Sequence, residues 1–310
     1  MHDIVNFFAA VTATSWLTLS ALLSQTRSAD SPAQNSHDAS AEAVEEEIRH
    51  EVEQQRQSLE EEAKKTLDQD AVVIVEETHN AIRAVESNNN PEAAEVIRRA
   101  LEGVQRLLTR NPATAEIAAD IKVEICDAAP VDSTSIIEIA QDASRAFDDK
   151  DFPTARVLLH SLMSEIRLRK YSLPLTTFPE ALRRAARLLD ENKNQSARAV
   201  LLTAIKTFVI SDRVIPIPLL TARYAIGIAQ REKEQNKPTV NNFLEIARNE
   251  LDRASKLGYA GSNPEYTALR NQIVELQEQL TDKEDVSSAF GKLAKKLTEF
   301  LHRQSGNQHG

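Results

Sequence analysis

Apolar positions recur every three or four residues along most of this chain, the spacing of amphipathic helices, and short polar knots interrupt the pattern. A helix is expected over 70–87, stopping at Asn88-Asn89-Asn90. A second is expected over 91–109. There Pro91 suits a first helical turn behind an Asn cap, and Val96, Ile97, Ala100, Leu101, Val104, Leu107 and Leu108 form one broad face. The two read as an antiparallel hairpin. The device recurs: a helix over 133–148 meets Asp148-Asp149-Lys150-Asp151, and another starts near Pro153. One over 178–190 meets Asp190-Glu191-Asn192-Lys193-Asn194, and another starts near Gln195. A helix over 218–235 meets Asn236-Lys237-Pro238 and is followed by one over 239–257. Thr177-Phe178-Pro179-Glu180 has the spacing of a capping box, and Leu257-Gly258 that of a helix stop. Further helices are expected over 264–280 and 284–302, the last with Phe290, Leu293, Leu297 and Phe300 on one face.

Local likeness supports repetition, since Thr154-Ala155-Arg156-Val157-Leu158-Leu159 loosely matches Ser196-Ala197-Arg198-Ala199-Val200-Leu201-Leu202. The interval is irregular, 61 residues from Ala94 to Ala155 against 42 from Ala155 to Ala197. A solenoid keeps a fixed period, so the expected fold is mainly α, a closed domain of irregular, tetratricopeptide-like helical hairpins. Two stretches alternate instead with the period of a strand, 121–125 and 165–169. Glu124 on one and Arg167 and Arg169 on the other are opposite in sign, and the two are expected to pair as a small two-stranded element.

Two apolar segments carry prolines where a hairpin turn would be polar: Ser172-Leu173-Pro174-Leu175-Thr176-Thr177-Phe178-Pro179 and Val214-Ile215-Pro216-Ile217-Pro218-Leu219-Leu220. Proline ends a helix and holds the preceding residue extended. Both segments are expected to be buried connectors that close the hairpins into one domain. Leu173, Pro174, Leu175, Pro179, Ile215, Pro216, Pro218 and Leu219 are the candidate structural or binding segment.

Residues 41–70 are strongly charged, with a thin apolar stripe of Ile48, Val52, Leu59, Ala63 and Leu67 that reads as an exposed helical arm. The apolar run over 4–23, followed by small residues, resembles a secretory signal peptide cleaved near Ala29, although Asp3 stands where a positive residue is usual. The alternative is an uncleaved membrane anchor over 4–23. The expected organisation is a signal or anchor over 1–29, a polar linker and acidic arm over 30–69, a helical domain over 70–280, and a C-terminal helix and tail over 281–310.

Composition narrows the function. The 310 residues carry a net charge of −10 with dispersed Lys and Arg, which disfavours nucleic-acid binding. One cysteine, Cys126, leaves no internal disulfide and no cysteine-based metal site. Of seven histidines only His79 and His160 fall in the expected helical core, and no HExxH or i,i+4 His pair occurs. No GxSxG or phosphate-cradling Gly-rich loop is present. Asp148-Asp149 and Asp190-Glu191 sit in expected turns, where Asp serves turn chemistry. No catalytic residue, cofactor or metal is expected, and the chain is read as not an enzyme.

The run from Tyr171 through Ala181, then Ala185-Ala186-Arg187-Leu188-Leu189-Asp190, residues 197–209 and the second proline segment resemble the YfdX family. Leu257-Gly258-Tyr259 and Asn263-Pro264-Glu265-Tyr266 extend that resemblance, which spans about 70–280. It implies a mostly helical, exported, periplasmic bacterial protein of stress responses. It also implies a chaperone-like or protein-binding role, with other proteins as partners, a possible homo-oligomer, and no catalytic motif to carry over. The acidic arm and C-terminal helix depart from the family pattern. An envelope adaptor acting through those two elements, or a small-ligand binder, are the alternative readings.

Overall fold

The structure is a computed structural model and describes residues 34–232, 237–260, 263–281 and 286–306. The signal or anchor expectation over 1–29 lies outside these residues. Among the described residues no helix is long and apolar enough to cross a membrane.

The chain runs α1 (Gln34–Lys64), α2 (Gln69–Glu86), α3 (Asn90–Arg110), β1 (Glu116–Asp127), α4 (Ser133–Asp148), α5 (Phe152–His160), β2 (Ser164–Pro174), α6 (Phe178–Asp190), α7 (Asn194–Lys206), β3 (Val209–Pro216), α8 (Ile217–Glu232), α9 (Lys237–Lys256), α10 (Pro264–Thr281) and α11 (Ser287–Gly306). Between α2 and β3 this is one motif used three times: a helical hairpin followed by a strand. The helical expectation holds throughout. The sheet differs, having three strands in the order β1-β2-β3, antiparallel, where two were expected. The third strand is the run that leads into the second proline segment. Its alternation is weak, because Ser211, Asp212 and Arg213 interrupt the apolar residues.

Antiparallel pairing of β1 with β2 continues past both strand ends, where the Ala128 amide donates to the Met163 carbonyl at 2.8 Å and the Leu175 amide to Ala115 at 2.9 Å. Charge complementarity was expected between Glu124 and the β2 arginines. Glu124 instead pairs with Lys122 on its own strand. Arg169 forms a two-pronged ion pair with Asp212 of β3, both hydrogen bonds at 2.8 Å, and its guanidinium holds the Asp212 carboxyl below the usual range. The β2 arginine therefore faces the strand that the sequence pattern hid.

Two prolines close strands. Pro174 is the last residue of β2 and Pro216 the last of β3. A strand end needs no ladder donor at that position, so proline fits there and stops the pairing. Pro179 and Pro218 lie in the first turns of α6 and α8, where a missing amide costs nothing. The expected capping box at Thr177 does not form: its backbone is already near helical (φ −109°, ψ −29°) and its side chain makes no cap bond, while Glu180 pairs with Arg183.

The chain divides into two compact units. Among the described residues, unit one takes in the arm up to Gln54 with Ile125–Ile166 and Ile215–Gln304, and unit two is built on Gln55–Glu124 and Arg167–Val214. The division falls inside each strand, so successive hairpins alternate between units. In unit two, α2 packs on α7 and α3 on α6, making a four-helix arrangement. One apolar cluster fills it, including Ile74, Val85, Ile97, Leu107, Leu173, Leu175, Phe178, Leu182, Leu189 and Leu201. Gly103 lets α3 approach α2 closely, since a Cβ there would lie 2.8 Å from Ile74 Cγ1. Unit one has its own interior, with Ile136, Leu219, Leu220, Ile226, Leu244, Leu251, Leu269, Phe290 and Phe300 buried. The arm is less exposed than expected, because Val52, Leu59 and Ala63 are buried. Within unit one, its Glu51 pairs with Arg223 at 3.1 Å and its Glu47 accepts from the Tyr224 hydroxyl at 2.9 Å.

Four helix ends share one turn. Asn88, Lys150, Asn192 and Gly258 have φ of 55°, 61°, 56° and 87°. In each case the residue before it donates to the carbonyl of an arginine (Arg83, Arg145, Arg187, Arg253), and the residue after it reaches back to the carbonyl that follows that arginine. An arginine in the last turn complements the negative helix end. Only Gly258 is relaxed in this left-handed conformation; Lys150 bears the cost of its Cβ. Lys150→Gly is therefore expected to raise stability by roughly 0.5–1 kcal/mol, and Gly258→Ala to lower it by a similar amount. Nothing lies within 4 Å of a Cβ at position 258, so the second effect is purely conformational. Equilibrium urea unfolding of the two variants against the parent checks both signs.

Candidate functional site

Aligning the three hairpins on their left-handed residues shows what they share. Seven residues before the turn stand Ala81, Ala143 and Ala185, and five after it Ala93, Ala155 and Ala197, all buried. Small side chains at these positions suit closely packed helices. The equivalent of Ala155 in the first hairpin is thus Ala93 and not Ala94. The repeat is irregular in length because α3 has 21 residues where α5 has 9.

Elsewhere the second hairpin departs from the other two. Three residues before the turn stand Val85, Phe147 and Leu189, at 3%, 61% and 4% exposure. Nine after it stand Ile97, Leu159 and Leu201, at 1%, 57% and 0%. Ten before it, Thr78 and Leu182 are buried while Ala140 is exposed. In unit two these positions lie in the core between hairpins. In unit one α4 and α5 pack on each other and α4 meets α9, and the same positions face outward. Val131, Ile137, Phe152 and Val157 are exposed as well, and Phe152 meets Phe147 edge to face with ring centroids 5.7 Å apart. Exposed apolar groups concentrated on one hairpin mark an interaction surface.

Unit one also holds a buried polar cluster. Arg253, in the last turn of α9, turns inward and donates to the carbonyls of Ala129 at 3.0 Å and Pro130 at 3.1 Å. Asp127 and Glu250 flank its guanidinium at 3.6 and 3.4 Å. The Ser164 hydroxyl donates to Asp127 at 2.7 Å, and the Tyr259 hydroxyl accepts from the Ser164 amide and donates to Glu165, each at 2.9 Å. These bonds tie β1, β2 and the turn after α9 together inside unit one. Burial pushes the Glu250 carboxyl up, opposed by Arg253. Burial, reinforced by the Glu165 charge, pushes the Tyr259 hydroxyl up and keeps it a neutral donor. Sequence patterns gave no sign of this cluster apart from Gly258-Tyr259, because its members come from four distant stretches.

The eight candidate residues of the proline segments are all buried. Leu173 and Leu175 join the unit-two cluster with Phe178 and Leu182, and Ile215 and Leu219 lie in the interior of unit one. They supply packing and strand termination. His79 is half-buried on α2, where burial lowers its imidazole, but His160 is exposed at the end of α5 and not in the core. Among the described residues no three His, Cys, Asp or Glu side chains gather as a metal site.

The polar cluster makes two predictions. Removing the guanidinium by Arg253→Met leaves buried carboxylates and carbonyls without their partner and should cost about 3 kcal/mol in urea unfolding. For Glu250 the folded-state pKa is raised. Its contribution to stability is complete below the ordinary value of 4.5 and is lost as pH rises through the folded value. Glu250→Gln should therefore gain stability relative to the parent as pH rises from 4 to 7; a flat or opposite trend in unfolding free energy would contradict this.

Residues 74–214, the stretch from α2 into β3, match the family model described as YfdX protein. The match is shorter than the 70–280 expected, and Leu257-Gly258-Tyr259 and Asn263-Pro264-Glu265-Tyr266 lie beyond it. No curated protein matches the chain. Among solved structures it is similar to YfdX from Salmonella Typhi, with 12% identity, a TM-score of 0.33, and coverage of 49% of this chain and 93% of that one. Residues 74–214, which run through the three hairpin-and-strand repeats, are the part of this chain that matches the YfdX family.

Proposed function

We propose that this protein is a non-enzymatic, chaperone-like protein-binding module whose docking element is the α4–α5 hairpin. The observation that carries the reading is the exposure of Phe147 and Leu159 at positions that the other two hairpins bury. An exposed aromatic and aliphatic face beside Asp148, Asp149 and Asp151 suits apolar polypeptide segments flanked by basic residues. The adaptor alternative has less support. The arm directs Glu47 and Glu51 to Tyr224 and Arg223, and α11 buries Phe290, Leu293, Leu297 and Phe300, so both elements use these groups within the chain. Export to the periplasm rests on the signal-like residues 1–29 and on the family resemblance.

Two measurements test the reading. The full chain should reduce light scattering by an aggregating standard such as reduced insulin, and the Phe147→Ser/Leu159→Ser variant should lose that protection several-fold while keeping parental circular dichroism. Equal protection by parent and variant would remove the hairpin from the function. Mass determination on protein from the envelope fraction should find a mature chain beginning near Asp30; an intact N-terminus there would favour the anchor.

A further inference from the structure

Helix α8 is apolar almost all round, with Leu219, Leu220, Ala222, Ala225, Ile226 and Ala229 buried. Its partly exposed residues, Arg223, Tyr224, Gly227 and Gln230, fall at helical spacing and form one stripe along it. The exposed Arg231 stands at the far end of the stripe and approaches the Tyr224 hydroxyl. A Cβ on Gly227 would meet nothing within 4 Å, so the middle of the stripe is open. Both α8 and the arm α1 up to Gln54 belong to unit one, and both lie outside the residues that match the family model.

The arm crosses one end of this stripe. The Tyr224 hydroxyl donates to Glu47 at 2.9 Å, Arg223 donates to Glu51 at 3.1 Å, and Val52 beside Glu51 is buried. Glu47 and Glu51 stand one helical turn apart, so both carboxylates leave the same face of α1. Among the described residues α1 makes this contact through side chains, without the close approach along its length that α9 makes to α8. Contacts between partly exposed charged groups are weak and are screened by salt. The arm is strongly acidic here, with five glutamates over 45–53 against Arg49, and its apolar stripe is limited to Val44, Ile48 and Val52. Charge directs it to Arg223 more than apolar burial does.

We propose that the α8 stripe of Arg223, Tyr224, Gly227 and Arg231 is a docking site for an acidic amphipathic helix of another protein, and that α1 is its built-in competitor. The arm shows what fits: two carboxylates one turn apart, one on the hydroxyl and one on the guanidinium, with a branched apolar residue next to the second. A partner helix with that spacing makes the same contacts and continues over Gly227, where no side chain blocks its approach, to place a further carboxylate on Arg231. The arm is tethered and competes at an effective concentration on the order of millimolar, so it holds the site against weak ligands and yields to strong ones. This face is separate from the α4–α5 hairpin, and the two readings stand or fall independently.

The test uses the full chain and, as probe, a fluorescein-labelled, end-capped peptide of residues 41–58. The Glu47→Gln/Glu51→Gln variant, its arm released, should bind the probe roughly tenfold more tightly than the parent by fluorescence anisotropy. Adding Arg223→Glu to that variant should abolish binding, and a probe carrying Glu51→Lys should recover it. Parental circular dichroism of each variant separates these losses from unfolding. In hydrogen exchange on the unmodified parent, amides 44–54 should exchange several-fold faster in about 0.5 M salt while those of α9 hold. Equal probe binding by the parent and the arm-released chain overturns the proposal, as does binding indifferent to Arg223→Glu or an arm whose protection ignores salt. An arm-released chain that gains self-association in sedimentation velocity and takes up no probe also overturns it, because the occupant is then a second copy.

Discussion

Reversing a helix within three residues requires one backbone position in the left-handed region, and this chain meets that requirement at Asn88, Lys150 and Asn192. The hairpins depend on it. With the turn fixed, buried alanines fall seven residues before it and five after it in every hairpin, and larger apolar residues at other set distances form a second face. The strand that follows each hairpin carries the chain into the other compact unit, so consecutive hairpins alternate. Prolines at the ends of β2 and β3 stop the strands without wasting a ladder donor.

Alternation has a physical consequence for burial. The first and third hairpins share a unit and each covers the other's apolar face. The second shares its unit with α8–α11 and the N-terminal arm, whose own apolar residues are largely turned to one another. The face that carries Phe147 and Leu159 is left outward although its residues are as apolar as their buried counterparts. An unburied apolar face of this kind is the observation on which the docking reading of the hairpin rests.

The buried polar cluster around Arg253 has a different role. Arg253 is the arginine of the fourth left-handed turn, and where Arg83 and Arg145 serve exposed partners it serves backbone carbonyls next to β1. Glu250, Asp127, Ser164 and Tyr259 satisfy one another and the guanidinium. Burial raises the Glu250 carboxyl, so the contribution of this one group to stability is greatest in acid and falls as pH rises. Removing solvent from these groups is costly unless all are paired, and the hydrogen bonds from Ser164 and Tyr259 supply that pairing.

Periodicity and turn chemistry determined the helices, their hairpin pairing and two of the strands, because those are local properties: apolar spacing, Asn and Asp at caps, glycine and proline at boundaries. The order of the proline segments was enough to suggest the family. The third strand was not legible, since Asp212 reads as solvated until Arg169 on another strand is placed against it at 2.8 Å. Nor was the difference between the hairpins. Val85, Phe147 and Leu189 look alike along the chain, and only the packing of one hairpin against another decides which are buried. Burial depends on what the fold brings to the opposite side of a helix, and a residue's own sequence neighbours carry no record of that.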